Sequence, residues 1–168
     1  VDGLGYRDTL VGTFLAVRGS AFADRLSGNA NDNLFLPGLG ADFVVGRGGT
    51  DTASYQDSPL ADPDGDGFVV TAALDPESGV CVAIDASGSL DYLLGIAIVQ
   101  GSEGRDSLLA YGGAALALGG WQFALAAPVL EGGGGNDLLA AGDAGLVIAR
   151  YAGPGAASID LAAGTASD

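Results

Sequence analysis

From Gly19 onward the sequence repeats every nine residues, as GSAFADRLS, GNANDNLFL, PGLGADFVV and GRGGTDTAS, ending at Ser54. So short a repeat constrains the fold more than composition does, because one unit cannot bury its apolar face alone and must stack on copies of itself. The sixth positions are Asp24, Asn33, Asp42 and Asp51; the eighth are Leu26, Phe35, Val44 and Ala53, with Val17 one unit earlier. Six residues rich in Gly and Asp read as a turn, and the x-apolar-x triplet after them reads as a short strand with one inward side chain. Turn plus strand in register predicts an all-β fold, a parallel β-roll or β-solenoid with the eighth positions as its inner ladder. Successive turns alternate between two edges of such a roll, so residues 18 apart become neighbours, Asp24 with Asp42 and Asn33 with Asp51.

Bringing Asp24 to Asp42 costs like-charge repulsion unless a cation lies between them. Carboxylates and turn carbonyls are hard oxygen donors, and Ca²⁺, which takes about 6 to 8 of them, suits this set better than Mg²⁺ or a soft metal. Asp24 with Asp42 is the stronger expected site; Asn33 lacks a charge, so Asn33 with Asp51 is the weaker. Phe22 and Asn31 stand where a fourth-position glycine belongs, and Pro37 and Arg47 replace other glycines.

The stretch from Gly19 to Tyr55 resembles the RTX, or haemolysin-type, calcium-binding nonapeptide G-G-x-G-x-D-x-U-x. The flanking phrases Val17-Arg18-Gly19-Ser20, Thr50-Asp51-Thr52-Ala53-Ser54-Tyr55 and Ile159-Asp160-Leu161-Ala162-Ala163-Gly164 are wordings common in that family. The resemblance implies a β-roll that forms on binding Ca²⁺ after type I secretion from a bacterium, stacked against adjacent RTX modules of the same parent chain.

Composition excludes other classes. The chain of 168 residues has no His and six Lys plus Arg against 21 Asp plus Glu, a net charge of −15. Without imidazole there is no Ser-His-Asp triad and no H-E-x-x-H zinc site. Without Lys there is no P-loop. The acidity opposes nucleic acid and acidic membranes while attracting cations. No apolar run reaches the length of a membrane-spanning helix. The 30 glycines exceed the average of roughly 7% and do not recur every third residue, so collagen is excluded. Because the chain opens mid-pattern without Met, it is expected to be a segment of a longer protein.

The organisation recurs at a longer scale. Asp8-x-Leu10-x-Gly12, Val17-Arg18-Gly19-Ser20 and Asp24-Arg25-Leu26 reappear as Asp91-x-Leu93-x-Gly95, Val99-Gln100-Gly101-Ser102 and Asp106-Ser107-Leu108. Two modules are expected, 1–90 with its roll at about 10–55, and 91–168 with a degenerate roll at about 92–151. The second apolar ladder reads Val99, Leu108, Ala117, Leu130, Leu139 and Ile148. Its metal positions read as lost, because 18 residues from Asp106 lies Ala124 and 18 before Asp137 lies Gly119. Apolar packing is expected to replace ions there.

Within the first module, in its acidic loop and hairpin at 56–90, Asp62, Asp64 and Asp66 have the D-x-D-x-D-G spacing of an EF-hand loop, but its twelfth position is Ala73 rather than Glu. Two readings stay open: an acidic solvated turn, or an additional Ca²⁺ loop completed by Asp75 or Glu77. After it, Phe68 to Leu74 and Val80 to Ile84 predict a β-hairpin inserted into the roll. Cys81 reads as a buried small hydrophobe, Tyr55 and Tyr151 as end caps of the two rolls, and Trp121 as a surface residue of an insertion.

The function expected from all this is a non-catalytic, calcium-binding segment of a larger secreted bacterial protein. Alternatives are a metal-indifferent structural or adhesive solenoid, and the appended domain of a secreted protease, lipase or polysaccharide epimerase whose catalytic part lies elsewhere. Unpaired strand edges at the ends of a roll are expected to promote self-association.

Overall fold

The computed structural model describes residues 13–61, 69–75, 79–110, 129–141 and 147–151, together with two short strands near the C-terminus. Asp62, Asp64 and Asp66, the Asp8-x-Leu10-x-Gly12 phrase, Ala117 and Trp121 lie outside the described residues. The strands are β1 Ala16–Arg18, β2 Arg25–Ser27, β3 Leu34–Leu36, β4 Phe43–Val45, β5 Thr52–Ser54, β6 Thr71–Asp75, β7 Val80–Ile84, β8 Leu90–Leu94, β9 Ile98–Gln100, β10 Ser107–Ala110, β11 Val129–Glu131, β12 Leu138–Ala140, β13 Ile148–Arg150, β14 Ser158–Asp160 and β15 Thr165–Ser167. The described residues are all-β, with no helix among them.

The nine-residue period decides where each strand goes. β1, β3, β5, β9, β11 and β13 form one sheet, in that order and parallel throughout. β2 and β4 belong to a second, seven-stranded sheet ordered β12, β10, β6, β7, β8, β4, β2. Consecutive units thus alternate between sheets, and partners within a sheet are two units apart: Phe35 pairs with Val17 and Ala53, and Leu26 with Val44. The middle residue of each x-apolar-x triplet turns inward, so Phe35, Val44, Ala53 and Val99 have no exposed surface and join Leu93, Leu108 and Leu130 in one core shared by both sheets. Val17 and Leu26, on the terminal strands β1 and β2, are only partly covered.

β6 and β7 form the expected antiparallel hairpin, Ala73 opposite Val82. β8 adds a third antiparallel strand to it, and the meander enters the second sheet parallel to β4 on one side and β10 on the other, with Leu93 beside Val44 and Ala72 beside Leu108. Asp91-x-Leu93, read from the sequence as the opening of a second repeat, lies in this meander. The first sheet meanwhile passes directly from β5 to β9, pairing Ala53 with Val99.

Two expectations need correction. Leu130 pairs with Ala149, not Ile148: one extra residue before β13 moves the register, on a terminal strand whose three residues are all exposed. Tyr55 is no end cap, because β9 continues the sheet past β5 and leaves Tyr55 2% exposed in the core. Cys81 is buried as expected, its thiol pushed up to about 12 by burial and by the nearby Asp91 charge.

Candidate metal centre

The turns that precede the strands stack as the strands do. Within each pair of neighbouring turns, the sixth-position residue of the first donates its N–H to the carboxylate of the second: Asp24 to Asp42 Oδ1 at 2.8 Å and Asn33 to Asp51 Oδ1 at 2.9 Å. Both expected pairs are therefore neighbours. The rungs continue further than the sequence suggested. Asp42 donates its N–H to Asp91 Oδ1 at 2.8 Å, and Val70 and Asp106 donate theirs to Asp106 Oδ1 and Asp137 Oδ1 at 3.0 Å. Asp106 thus has its partner after all, 31 residues away rather than 18, because the chain between β10 and β11 is longer than in the first half. Polar groups also persist in β11, where the buried Glu131 accepts from Gln100 Nε2 and pairs with Arg150. What the structure corrects is the expected loss of the carboxylate pair in the second half: Asp106 and Asp137 are neighbours.

Each pair joins two different kinds of turn. In the first turn a small polar residue at the second position closes the carboxylate or amide on itself. Ser20 donates from its N–H and Oγ to Asp24 Oδ2, Ser102 does the same to Asp106, and the Asn29 N–H donates to Asn33 Oδ1 at 2.8 Å. The second turn instead passes through positive φ at its second and fourth residues: Gly38 at 99° and Gly40 at 101°, Arg47 at 82° and Gly49 at 89°, Gly133 at 92° and Gly135 at 91°. That conformation belongs to glycine on steric grounds and is strained for Arg47. It aims the following N–H back at the first turn, so Leu39 donates to Ser20 O and Gly48 to Asn29 O at 3.1 Å, and Gly134 to Ser102 O at 3.0 Å. A side chain at Gly38 or Gly133 would put its Cβ 2.0 Å from those serine carbonyls.

Two turns of the second kind, those of Asp42 and Asp51, leave a carboxylate oxygen without a donor. Asp42 Oδ2 and Asp51 Oδ2 are buried and accept no hydrogen bond from any described residue. Asp42 is 1% exposed and Asp51 has no exposed surface. Burial pushes the Asp42 carboxyl up to about 6, with the Asp24 and Asp85 charges adding to it and the Asp24 N–H opposing. Burial likewise raises Asp51, helped by the Asp32 charge and opposed by the Asn33 N–H. Asp91 and Asp106 are both raised to about 7, again chiefly by burial. A carboxylate oxygen held dry without a donor is costly to leave charged, so it calls for a proton or a cation.

The donor set is oxygen throughout, carboxylate and backbone carbonyl, which fits a hard divalent ion. Among the described residues no group of three or more His, Cys, Asp or Glu side chains converges on a metal-sized site, so an ion here would rest on one or two carboxylates, with carbonyl or water oxygens completing its shell. Sequence reasoning missed Asp85, Asp91 and Asp137. Asp85 has no exposed surface and accepts from the Gly40, Ser87 and Ser89 N–H groups at 2.8, 2.8 and 2.9 Å. Asp91 carried a visible signal, the D-x-apolar triplet of the repeat; Asp85, in the β7–β8 turn, carried none.

No protein-family model, curated protein or solved structure matches this chain. Among the described residues no helix is long and apolar enough to cross a membrane.

Proposed function

We propose that this chain is a calcium-binding parallel β-roll, a non-catalytic segment of a larger secreted bacterial protein that Ca²⁺ stabilises once outside the cell. The observation that carries the reading is the pair of buried, donorless carboxylate oxygens, Asp42 Oδ2 and Asp51 Oδ2, in turns of matching backbone form. Asp42 and Asp51 are the primary ligands, backed by Asp24 and Asn33 of the neighbouring turns, and an ion supplies the charge that these oxygens lack. Metal binding of this kind is folding free energy: an outside concentration near 100 times Kd adds about 2.7 kcal/mol per site. Adjacent modules of the parent chain cover the open sheet ends.

The test is calorimetric titration of the chelator-treated chain with Ca²⁺ and with Mg²⁺, alongside far-UV circular dichroism. Saturable Ca²⁺ binding that Mg²⁺ does not reproduce, lost in an Asp42→Ala/Asp51→Ala double variant, is expected. Unchanged heat and unchanged β signal would sink the reading. A metal-indifferent structural solenoid would then be the better account, one that the self-closed Ser20 and Ser102 turns favour because they are satisfied without an ion.

A further inference from the structure

We infer that Tyr55 and Asp91 are positioning residues for the cation site at Asp42, and for that site alone; the inference rests on the calcium reading above. Phe43 pairs with Tyr92, so Asp91 stands on the rung next to Asp42. Its two oxygens are divided between two donors, Oδ1 taking the Asp42 N–H at 2.8 Å and Oδ2 taking the Tyr55 hydroxyl at 2.8 Å. Tyr55 is 2%, Asp42 1% and Asp91 0% exposed, so no bulk water competes for these bonds. The first bond holds the backbone of the residue whose Oδ2 has no donor. The second holds the rotamer of the carboxylate that does the holding. Tyr55 follows β5 of the first sheet and Asp91 lies on β8 of the second, so the hydroxyl ties the Asp42 turn to the opposite sheet across the core.

The Asp51 turn has one side-chain acceptor behind it, the exposed Asp32 Oδ1 taking the Thr50 N–H at 2.7 Å, and no buried carboxylate on the next rung. Thr52 pairs with Ile98, which puts Ala97 on the rung next to Asp51, and a methyl group accepts nothing. Backbone contact alone links that rung, the Ala97 and Ile98 N–H groups donating to Asp51 O at 2.9 and 3.1 Å. The Asp42 turn has in addition Asp85 Oδ2, which accepts the Gly40 N–H at 2.8 Å and adds a further buried charge. Outer-layer groups that orient a ligand are worth about 10- to 100-fold in metal affinity. The two turns, alike in backbone form, are therefore unequal in what stands behind them, and the hydroxyl of Tyr55 acts on one of them only.

Amide NMR spectra of the labelled full chain during a Ca²⁺ titration test this, because Gly38–Asp42 and Arg47–Asp51 report on the two turns separately. Tyr55→Phe is expected to raise the Kd at the Asp42 turn about tenfold and leave the Asp51 turn unchanged. Asp91→Asn keeps an acceptor for the Asp42 N–H but loses the charge, and is expected to raise Kd at least as far. Wild-type affinity in both variants overturns the inference while the calcium reading stands. Equal weakening at both turns, or loss of the dispersed spectrum in Tyr55→Phe, assigns Tyr55 to packing and overturns it too. A wild-type chain that shows no response to Ca²⁺ at either turn overturns the calcium reading itself and this inference with it.

Discussion

The N–H of Asp106 donates to Asp137 Oδ1 at 3.0 Å across 31 residues of sequence, the same bond that joins Asp24 to Asp42 and Asn33 to Asp51 across 18. The rung is set by parallel pairing of the strands that follow, Leu108 beside Leu139 as Leu26 is beside Val44, and not by the length of chain between them. A connection can therefore lengthen at the cost of loop entropy alone, which grows only slowly with length. The turn pair at 101–106 and 132–137 keeps the form of the other two for this reason.

Asp106 makes stability depend on pH in an uncommon direction. Its carboxyl is raised from 3.8 to about 7, by burial first and by the Asp137 charge, against the Ser102 and Val70 donors. A carboxyl that holds its proton better when folded stabilises the fold fully below the unfolded value of 3.8, and this is lost as pH rises through about 7. Each unit of separation is worth about 1.4 kcal/mol. Asp42 and Asp91 shift the same way. The chelator-treated chain is expected to melt at higher temperature at pH 5 than at pH 8, with a smaller difference in Asp106→Asn. A higher melting temperature at pH 8 in chelator would refute it.

Asp51→Asn is expected to change sign with calcium. Its Oδ1 still accepts the Asn33 N–H, and the buried, donorless charge at Oδ2 becomes a neutral amide. An unsatisfied neutral group costs about 1–3 kcal/mol and a charged one more, so without metal the variant is at least as stable as the parent. At Ca²⁺ near 100 times Kd it forgoes about 2.7 kcal/mol of binding. Urea denaturation with chelator and with Ca²⁺ reads both values; an equal change in the two conditions would contradict the argument.

Much of the core was legible because one inward residue per nine leaves a pattern that nothing else produces. Val17, Leu26, Phe35, Val44 and Ala53 all take the middle of a strand, and so do Val99, Leu130 and Leu139. What counting missed are the places where the count changes. An extra residue before β13 puts Ala149 where Ile148 was expected, although Ala149-Arg150-Tyr151 already matched Ala53-Ser54-Tyr55 in the sequence. The meander hid Asp91 from Asp42, because neighbours 49 residues apart share no period. Asp42 Oδ2 and Asp51 Oδ2 go without a donor where the second turn residue is the positive-φ Gly38 or Arg47, whereas the N–H of Ser20 or Asn29 closes on the carboxylate or amide of its own turn. That contrast is written in the sequence but has meaning only once the turns are paired.

Gly46 and Gly48 share one turn and are expected to respond oppositely to alanine. A Cβ at Gly46 would lie 2.3 Å from Asp51 Oδ2 and 2.6 Å from the Gly95 carbonyl, and the second is a backbone contact that no rotamer change relieves. A Cβ at Gly48 meets nothing closer than 3.5 Å. Gly46→Ala is expected to lose about 3 kcal/mol, as overpacked sites do, whereas Gly48→Ala gains up to about 0.5 kcal/mol by restricting the unfolded chain. Equal urea midpoints for the two variants would show that the turn lacks the close packing described.

Arg47→Gly sets the strain of one turn against the freedom that glycine adds to the unfolded state. Arg47 holds φ at 82°, where the equivalent residues of the other two pairs are Gly38 and Gly133. Left-handed backbone costs a side-chain-bearing residue roughly 1–2 kcal/mol, and glycine returns about 0.5–1 of that as unfolded-state entropy. The bond from Arg47 Nε to Ser27 Oγ, 3.0 Å and exposed, offsets little of the rest. The variant is thus expected to gain about 0.5 kcal/mol in chelator. It also removes a cation four residues from Asp51 in a chain of net charge −15, so Ca²⁺ affinity at the Asp51 turn rises while that at Asp42 does not. Screening by salt shrinks the affinity gain and leaves the gain in chelator, which separates charge from strain. A variant less stable than the parent, with the gain in affinity insensitive to salt, would reverse both assignments.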